Sequence, residues 1–412
     1  MFRNIWFQAH WLIGITAGIV LAIVGLTGAM LAFETPLQQW LNRDTRTVAI
    51  SSAAVMTPSG LLEAVAQQVP GKRVTTLQFS SDPTAAVRVG FAPDANARGG
   101  GRGPGRGESR YVNPYTGALL EADAARGQAF FRATRSLHRW LTLDGYGKQE
   151  LGRKIVGACT ALCIVLTLSG LYLRWPRRIG SWRVWLTFNP RLKGRAFLWH
   201  LHAVLGTWVL IGFLLMSLTG LYWSYNWYRD GLYALAGIER PAGREQANRP
   251  AGAAPRAERA RGGERPGDSP DEAVQPAILD AAWTSFKTLP EAAQLKTATL
   301  TFEPGRPIEV RYLRTDSRHD RANNVAQIDP RTGALLKHER YEDKRTGEKF
   351  MASIFPLHSG SFFGLPGSVL YMIASLGMPV FAVTGWMMYL DRRRKKRASA
   401  TRREPSAGWN TL

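Results

Sequence analysis

The sequence predicts a membrane α-helical protein with four transmembrane helices in two tandem repeats, each repeat carrying an inserted α+β unit. Three observations lead to this fold class. Four apolar runs are each long enough to cross a bilayer, which takes about 20 helical residues. Two long polar segments interrupt the runs, one in each half of the 412-residue chain. The same short motifs recur in the same order in both halves.

The repeat is defined by histidines at matched positions. His10 precedes a Thr-Gly pair by seventeen residues, and His202 precedes another by the same interval. Each half then contains a Pro-x-Thr-Gly turn, followed by a Leu-His pair that ends at His138 or at His358. A second apolar run closes each half. An internal duplication is the simplest account of this order.

The four apolar runs lie near residues 5–33, 155–173, 196–225 and 366–390. Tyrosine and tryptophan crowd their ends, as in the interfacial belts of membrane proteins. The first run is too long for the core of a signal peptide, so we expect it to be a retained span.

The basic residues predict the orientation of the spans. Residues 174–195 carry seven basic side chains and no acidic one, and residues 392–397 are all basic. Cytoplasmic loops and tails of membrane proteins carry such an excess of Lys and Arg. We therefore expect both termini in the cytoplasm and both polar segments on the outer side of the membrane.

Composition argues against several other classes of protein. The net charge of +22 comes from 53 basic and 31 acidic residues. Because the densest clusters flank apolar runs, this charge indicates membrane topology rather than nucleic-acid binding. The only two cysteines, Cys159 and Cys163, lie one helical turn apart inside an apolar run. This placement disfavours a disulfide framework, a Cys-type zinc site and a Cys-ligated iron–sulfur cluster.

Each polar segment has the pattern of a small α+β unit. In the first, Thr57 and Pro58 are typical of the start of a helix, which we extend to Val69. Gly/Arg-rich residues 98–107 predict a mobile hairpin loop, and residues 240–269 a flexible linker. Alternating apolar residues predict strands at 73–80, 85–91 and 110–113 in the first unit and, after a helix near 270–289, at 296–302, 308–314 and 324–328 in the second.

With these motifs the chain resembles a known family over nearly its whole length, the PepSY-associated transmembrane proteins. The matched His…Thr-Gly spans, the two Pro-x-Thr-Gly turns, the two Leu-His pairs and the final Thr-Gly-Trp386 span carry the resemblance. Some members are inner-membrane reductases that release iron from ferric siderophores with two b-type haems. The resemblance therefore implies a location in the bacterial inner membrane, two haem b cofactors, an iron substrate and PepSY-like periplasmic domains.

The four matched histidines are the candidate haem ligands. A transmembrane haem needs two axial ligands at one membrane depth. His10 and His202 begin outward-going spans and form the inner pair, whereas His138 and His358 precede inward-going spans and form the outer pair. The alternative is that all four are interfacial histidines satisfied by backbone groups or water. His200 stays open as an alternative to His202, although only His202 matches the offset of His10.

Further polar residues have smaller roles in this scheme. Arg139, next to His138, is a candidate partner for a haem propionate, and an interfacial anchor is the equal alternative. His319 and His338 have no partner in the repeat, and either is a candidate to meet a substrate. The sequence has no arrangement typical of a nucleophile and its base, so we expect no catalytic residue of the hydrolase kind.

The expected activity is electron transfer across the bilayer to a ferric chelate docked between the two outer domains. Some relatives fuse a flavin reductase domain after the last span. Only about twenty residues follow Leu390 here, with no Gly-rich nucleotide loop, so we expect a separate donor, either quinol or a cytoplasmic reductase. The alternatives are a membrane-anchored PepSY-domain protein that binds or regulates without redox activity, and a proton or metal transporter.

The chain is therefore expected to divide into eight segments, and its oligomeric state stays open. The segments are transmembrane helix 1 (1–34), PepSY-like domain 1 (35–137), an interfacial segment with transmembrane helix 2 (138–175), a basic cytoplasmic loop (176–195), transmembrane helix 3 (196–226), PepSY-like domain 2 with the flexible linker 240–269 (227–357), an interfacial segment with transmembrane helix 4 (358–391) and a basic cytoplasmic tail (392–412).

Overall fold

The fold is that of a computed structural model, which describes residues 2–92, 108–120, 126–176, 180–240 and 275–401. The chain divides into two compact units. A helical unit comprises the described residues within Met1–Glu34, Ala129–Leu232 and Ile354–Leu412. A sheet domain comprises those within Thr35–Gln128 and Tyr233–Ser353.

Four helices of the helical unit are long and apolar enough to cross a membrane, as the four apolar runs predict. Helix α1 packs against α6 and α12, and α8 packs against the same two helices. The four spans therefore form a bundle in which α6 lies between α1 and α8 on one side and α12 on the other. Their bounds are α1 Phe2–Leu31, α6 Gln149–Arg174, α8 Gly194–Ser224 and α12 Gly364–Thr401.

Shorter helices complete the chain between these spans. Two of them matter for the site, because each ends a few residues before a span: α5 (Gln128–Trp140) precedes α6, and α11 (Thr346–Ser359) precedes α12. Each is followed by a short 3-10 turn before the span begins. The remaining short helices are α2 Glu34–Leu41, α3 Arg43–Arg46, α4 Pro58–Gln68, α7 Trp182–Leu186, α9 Asn226–Leu235 and α10 Pro276–Lys287.

The sheet domain contains one antiparallel sheet of seven strands in the order β3-β2-β1-β4-β5-β6-β7. Strand β1 pairs with β4, with Leu77 opposite Leu300. The sequence predicts two separate α+β units, and the structure joins their strands at this pair. The strands are β1 Val74–Ser80, β2 Val87–Phe91, β3 Ser109–Val112, β4 Leu295–Thr301, β5 Ile308–Arg314, β6 Asn324–Ile328 and β7 Leu335–Glu339.

Pairing of β1 with β4 has a clear physical reason. Left separate, the two units would each expose a strand edge with unpaired backbone groups. Joined, they share a single hydrophobic core on one face of the sheet. Helices α4 and α10 cover this face through residues such as Leu61 and Phe286, which are fully buried.

Local sequence signals predict most elements of the sheet domain. The Thr57 hydroxyl accepts a hydrogen bond from the Gly60 amide, and Pro58 begins α4, as the cap and the proline predict. Strands β1 to β6 overlap predicted strands. Strand β7 is not predicted, because its exposed Leu335 and Leu336 break the alternation of apolar and polar residues. Residues 98–107, and the expected linker after Arg240, lie outside the described residues.

Candidate functional site: two histidine pairs

The inner pair consists of His10 on α1 and His202 on α8. Each is eight residues beyond the first residue of its helix, which corresponds to about 12 Å of axial rise. The two imidazole rings are neighbours, with their centroids 6.3 Å apart and their planes at 75°. Equal position along two helices that run in the same direction thus brings the matched histidines together.

The outer pair consists of His138 on α5 and His358 on α11. Both lie near the carboxyl end of a short helix that precedes a span. Their ring centroids are 6.4 Å apart and the planes are at 65°, nearly the geometry of the inner pair. Both side chains reach the long helices of the bundle, since His138 contacts Val24 of α1 and His358 contacts Met216 of α8.

Backbone carbonyls determine which ring nitrogen carries the proton in the outer pair. The Nδ1 atom of His138 lies 3.0 Å from the Val24 carbonyl oxygen, and Nδ1 of His358 lies 3.0 Å from that of Met216. A carbonyl oxygen only accepts a hydrogen bond, so Nδ1 must donate in both residues. In a neutral imidazole the lone pair is then on Nε2, which is the atom left to bind a metal ion.

Hydroxyl groups have the corresponding role in the inner pair. The Nδ1 atoms of His10 and His202 lie 2.8 Å from the side-chain oxygens of Ser169 and Thr384. Each of these hydroxyls donates its proton to a backbone carbonyl of its own helix. A hydroxyl that donates its one proton to that carbonyl accepts from Nδ1–H of the histidine. In this arrangement the inner histidines also present Nε2 as the unprotonated nitrogen.

The hydroxyl partners belong to a dipeptide that recurs in the four spans. A Ser or Thr followed by Gly occurs at residues 27–28, 169–170, 219–220 and 384–385. The Thr27 hydroxyl lies 3.1 Å from Nδ1 of His138, and the Thr219 hydroxyl lies 3.1 Å from Nδ1 of His358. All four histidines thus contact the hydroxyl of a Ser/Thr-Gly dipeptide on a long apolar helix.

The glycines of three dipeptides permit close approach of the imidazoles. A Cβ atom placed on Gly28 would be 3.2 Å from His138 Cε1, and one on Gly220 would be 3.3 Å from His358 Cε1. The same construction at Gly170 gives 3.3 Å to Cε1 of His10. These distances are tight for two carbon atoms. A larger side chain would displace the ring, so the small residue is needed where ring and helix meet.

A comparison with known sequence families matches residues 7–392 to the PepSY-associated TM region. The chain belongs to the PepSY-associated transmembrane family. The resemblance drawn from the sequence is thereby confirmed, over a match that includes all four histidines. A comparison with curated protein sequences finds no match.

The bundle of this PepSY-associated protein contains an open cavity of about 1320 Å³ around the inner pair. His10 and His202 line it together with Gly14, Gly170 and Gly206. Its volume exceeds the roughly 300–1,000 Å³ of a typical small-molecule site. Sequence reasoning missed this cavity, since its size depends on how four helices pack and not on any local pattern.

The other candidate residues are not members of either ring pair. His200 packs beside Phe188, and its Nδ1 accepts a long hydrogen bond of 3.5 Å from the Asn189 amide. His202, and not His200, is the ring neighbour of His10. The Arg139 guanidinium lies 4.6 Å from the Trp140 ring centroid, in a cation–π contact.

Two further histidines hold polar networks inside the sheet domain of this PepSY-associated protein. His319 is buried, and its Nδ1 accepts from the Arg321 amide, so Nε2–H donates to the hydroxyl of Tyr341 or Ser353. Burial lowers the pKa of this imidazole, which favours its neutral form. His338 shares a hydrogen bond of 2.7 Å with the Tyr312 hydroxyl.

The candidate site consists of two pairs of histidines. Within the described residues, no group of three or more His, Cys, Asp or Glu side chains is arranged to hold a metal ion. A metal ion held by either histidine pair would therefore need further ligands of another kind.

Proposed function

We propose that this protein is a di-haem b electron-transfer protein of the bacterial inner membrane, which reduces a ferric chelate such as a siderophore in the periplasm and releases ferrous iron. The proposal includes two tandem repeats, cytoplasmic termini and a periplasmic sheet domain. The observation that carries it is a pair of neighbouring histidine rings at each of two sites, 6.3 and 6.4 Å apart, with all four Nδ1 atoms engaged.

The distance within each pair suits one metal ion between two imidazoles. A histidine nitrogen binds a metal at about 2 Å, and the two rings of each pair are close enough that one ion would reach both. A haem supplies the four remaining ligands of its iron, so two histidines are sufficient. Candidate ligands are His10 with His202, and His138 with His358.

The surroundings of the inner pair also suit a flat macrocycle. Glycines line the cavity next to the histidines, and its volume of about 1320 Å³ accommodates a large cofactor. When bound, haem supplies reversible one-electron transfer between ferric and ferrous iron. Two imidazole ligands leave the iron no open coordination position, which favours electron transfer over oxygen binding.

The protein's own groups would orient the ligating rings. Ser169 and Thr384 hold the inner imidazoles through Nδ1, and the carbonyls of Val24 and Met216 hold the outer ones. Such contacts fix the ring orientation and raise the basicity of the ligating nitrogen.

The sheet domain offers a polar surface for an oxygen-rich chelate. On the face opposite the hydrophobic core, Arg88, Gln78, Thr299 and Arg311 are cross-strand neighbours from four adjacent strands. These side chains can donate hydrogen bonds to the oxygens of a carboxylate, hydroxamate or catecholate chelate. Since one continuous sheet replaces the two expected units, we place chelate docking on this face instead of between two domains.

The test of the proposed function is reoxidation of the pre-reduced protein by ferric chelates. Ferrous iron should then appear in a ferrous-specific trap, at the expense of reduced haem. His138→Ala and His358→Ala should stop this release while the inner haem stays reducible by an added donor. If both variants release ferrous iron at the parental rate, the outer pair does not transfer electrons to the chelate.

The alternative function is a membrane-anchored PepSY-domain protein that binds a peptide or protein without redox activity. This alternative requires that the purified protein contain no haem. It does not explain why all four histidines have matched hydrogen-bond contacts at Nδ1. A visible spectrum of the detergent-purified protein separates the two functions.

A further inference from the structure

The ends of the four spans form a basic rim around the cavity of the inner pair. Seven basic side chains line the cavity, and none of its described lining residues is acidic. They come from the starts of α1 and α8 and from the ends of α6 and α12, which lie at one end of the bundle. We define the basic rim as these seven residues: Arg3, Arg174, Arg195, Arg392, Arg393, Lys396 and Arg397.

The basic rim carries positive charge that the protein neutralises only in part. Arg3 and Arg174 donate hydrogen bonds to backbone carbonyls, which leave their charge in place. Among the described residues, no carboxylate forms an ion pair with Arg195, Arg392 or Arg393, whereas the neighbouring Lys395 pairs with an aspartate at 3.4 Å. A bound haem would bring two carboxylates, which is fewer than the cations of the rim. Positive charge is therefore left for another anion.

Apolar side chains surround these cations. The Arg392 guanidinium lies 5.0 Å from the ring centroid of Phe7, which is 37% exposed. Trp199, on the same cavity, is 55% exposed, and Phe2 and Ile5 on the first turn of α1 are exposed as well. In a bilayer such apolar side chains contact acyl chains, so a ligand that places an anion on the rim can also cover them. The complementary ligand is an amphipath with an anionic head and a hydrocarbon body.

We propose that the basic rim binds the phosphate group of an anionic phospholipid, whose acyl chains cover the exposed apolar side chains around it. Basic pockets between transmembrane helices suit such headgroups. The site goes beyond electron transfer and does not depend on it, since Arg195 is about two helical turns from His202. The bound lipid would link the start of α8 to the end of α12 through Arg195 and Arg393.

The experiment compares two double variants of one helix. Arg392→Gln/Arg393→Gln removes two cations that line the cavity, whereas Arg394→Gln/Lys395→Gln removes two adjacent exposed cations that do not line it. The full-length protein is placed in phosphatidylcholine nanodiscs that contain a minor fraction of phosphatidylglycerol. Native mass spectrometry then counts the lipids that stay bound, while far-UV circular dichroism verifies that each variant is folded.

We expect the parent and the 394/395 variant to retain phosphatidylglycerol over phosphatidylcholine, and the 392/393 variant to retain it about tenfold less. Arg393→Lys should retain the lipid, because the charge is conserved. If both double variants lose phosphatidylglycerol to the same extent, its retention depends on the general charge of the tail, and the proposal is overturned. Equal retention of phosphatidylglycerol and phosphatidylcholine by the parent would also overturn the proposal. Displacement of phosphatidylglycerol by an equal concentration of glycerol 3-phosphate would overturn it as well, because it would indicate a site for soluble phosphates.

Discussion

The Nδ1 atom of His358 lies 3.0 Å from the carbonyl oxygen of Met216, and this single contact decides the chemistry of the ring. The carbonyl requires a proton on Nδ1, so a neutral His358 carries its lone pair on Nε2. His138 has the same relationship with the Val24 carbonyl, at the same distance. A histidine held in this way is oriented as a metal ligand before any metal binds.

Substitution of the inner ligands is expected to remove one haem and leave the other. His202→Ala takes one imidazole from the inner pair, whereas His200→Ala changes a side chain that lies beside Phe188 and is not the ring neighbour of His10. The haem-to-protein ratio should fall by about half in His202→Ala and stay near the parental value in His200→Ala. An exchange of these two results would assign the inner ligand to His200.

Loss of the hydroxyls that hold the inner rings should weaken haem binding without abolishing it. Ser169→Ala and Thr384→Val remove the partners of the Nδ1 atoms of His10 and His202. Outer-shell partners of metal ligands typically contribute about 10- to 100-fold in affinity. Competition for haem with an apo-haem-binding protein measures this loss. Thr16→Val, whose hydroxyl donates to carbonyls of its own helix, is the matched control and should bind haem as the parent does.

We expect that a residue larger than glycine at Gly28 or Gly220 disrupts the outer pair. Gly28→Val or Gly220→Val places side-chain atoms against Cε1 of His138 or His358, where even a Cβ atom would lie at 3.2 or 3.3 Å. Displacement of the ring should remove the outer haem, which the haem-to-protein ratio reports. Gly231→Val is the control, since a Cβ there meets no atom within 4 Å. Retention of both haems in Gly28→Val and Gly220→Val would show that the rings do not need this space.

The orientation in the membrane is testable with single exposed cysteines. Ser52 is exposed in the sheet domain, and Arg394 is exposed near the end of α12. With an impermeant maleimide, Ser52→Cys should label in intact spheroplasts, and Arg394→Cys only after lysis, because the basic tail is expected in the cytoplasm. Native Cys159 and Cys163 are buried and give a low background. The reverse pattern would place the sheet domain in the cytoplasm.

The pairing of His10 with His202 is predicted from the sequence by their equal spacing. Equal offsets in the two halves of the chain place these two residues at one depth, and a helical bundle preserves that depth. The hydrogen-bond partners of the Nδ1 atoms cannot be predicted from the sequence in the same way. Ser169 and Thr384 belong to Ser/Thr-Gly dipeptides, which a sequence presents as packing motifs. Their hydrogen bonds depend on which helices are neighbours, and no local pattern specifies that.

The sheet illustrates the same limit. Alternation of apolar residues predicts β1 and β4 as strands, but it does not indicate that they pair with each other. That pairing joins Leu77 to Leu300, which is far along the chain, and a period-two pattern is compatible with either one sheet or two. Pairing of the two strand edges and burial of the shared core favour one sheet.

The haem content of the purified protein is the decisive measurement for the two histidine pairs. Each pair has the spacing and the engaged Nδ1 atoms of a bis-imidazole site. A pyridine haemochrome assay against protein mass should therefore give close to two b-type haems per chain, with low-spin spectra in both oxidation states. A value near zero, in protein produced with sufficient haem and shown to be folded, would contradict the assignment of both pairs as haem ligands and with it the proposed electron transfer.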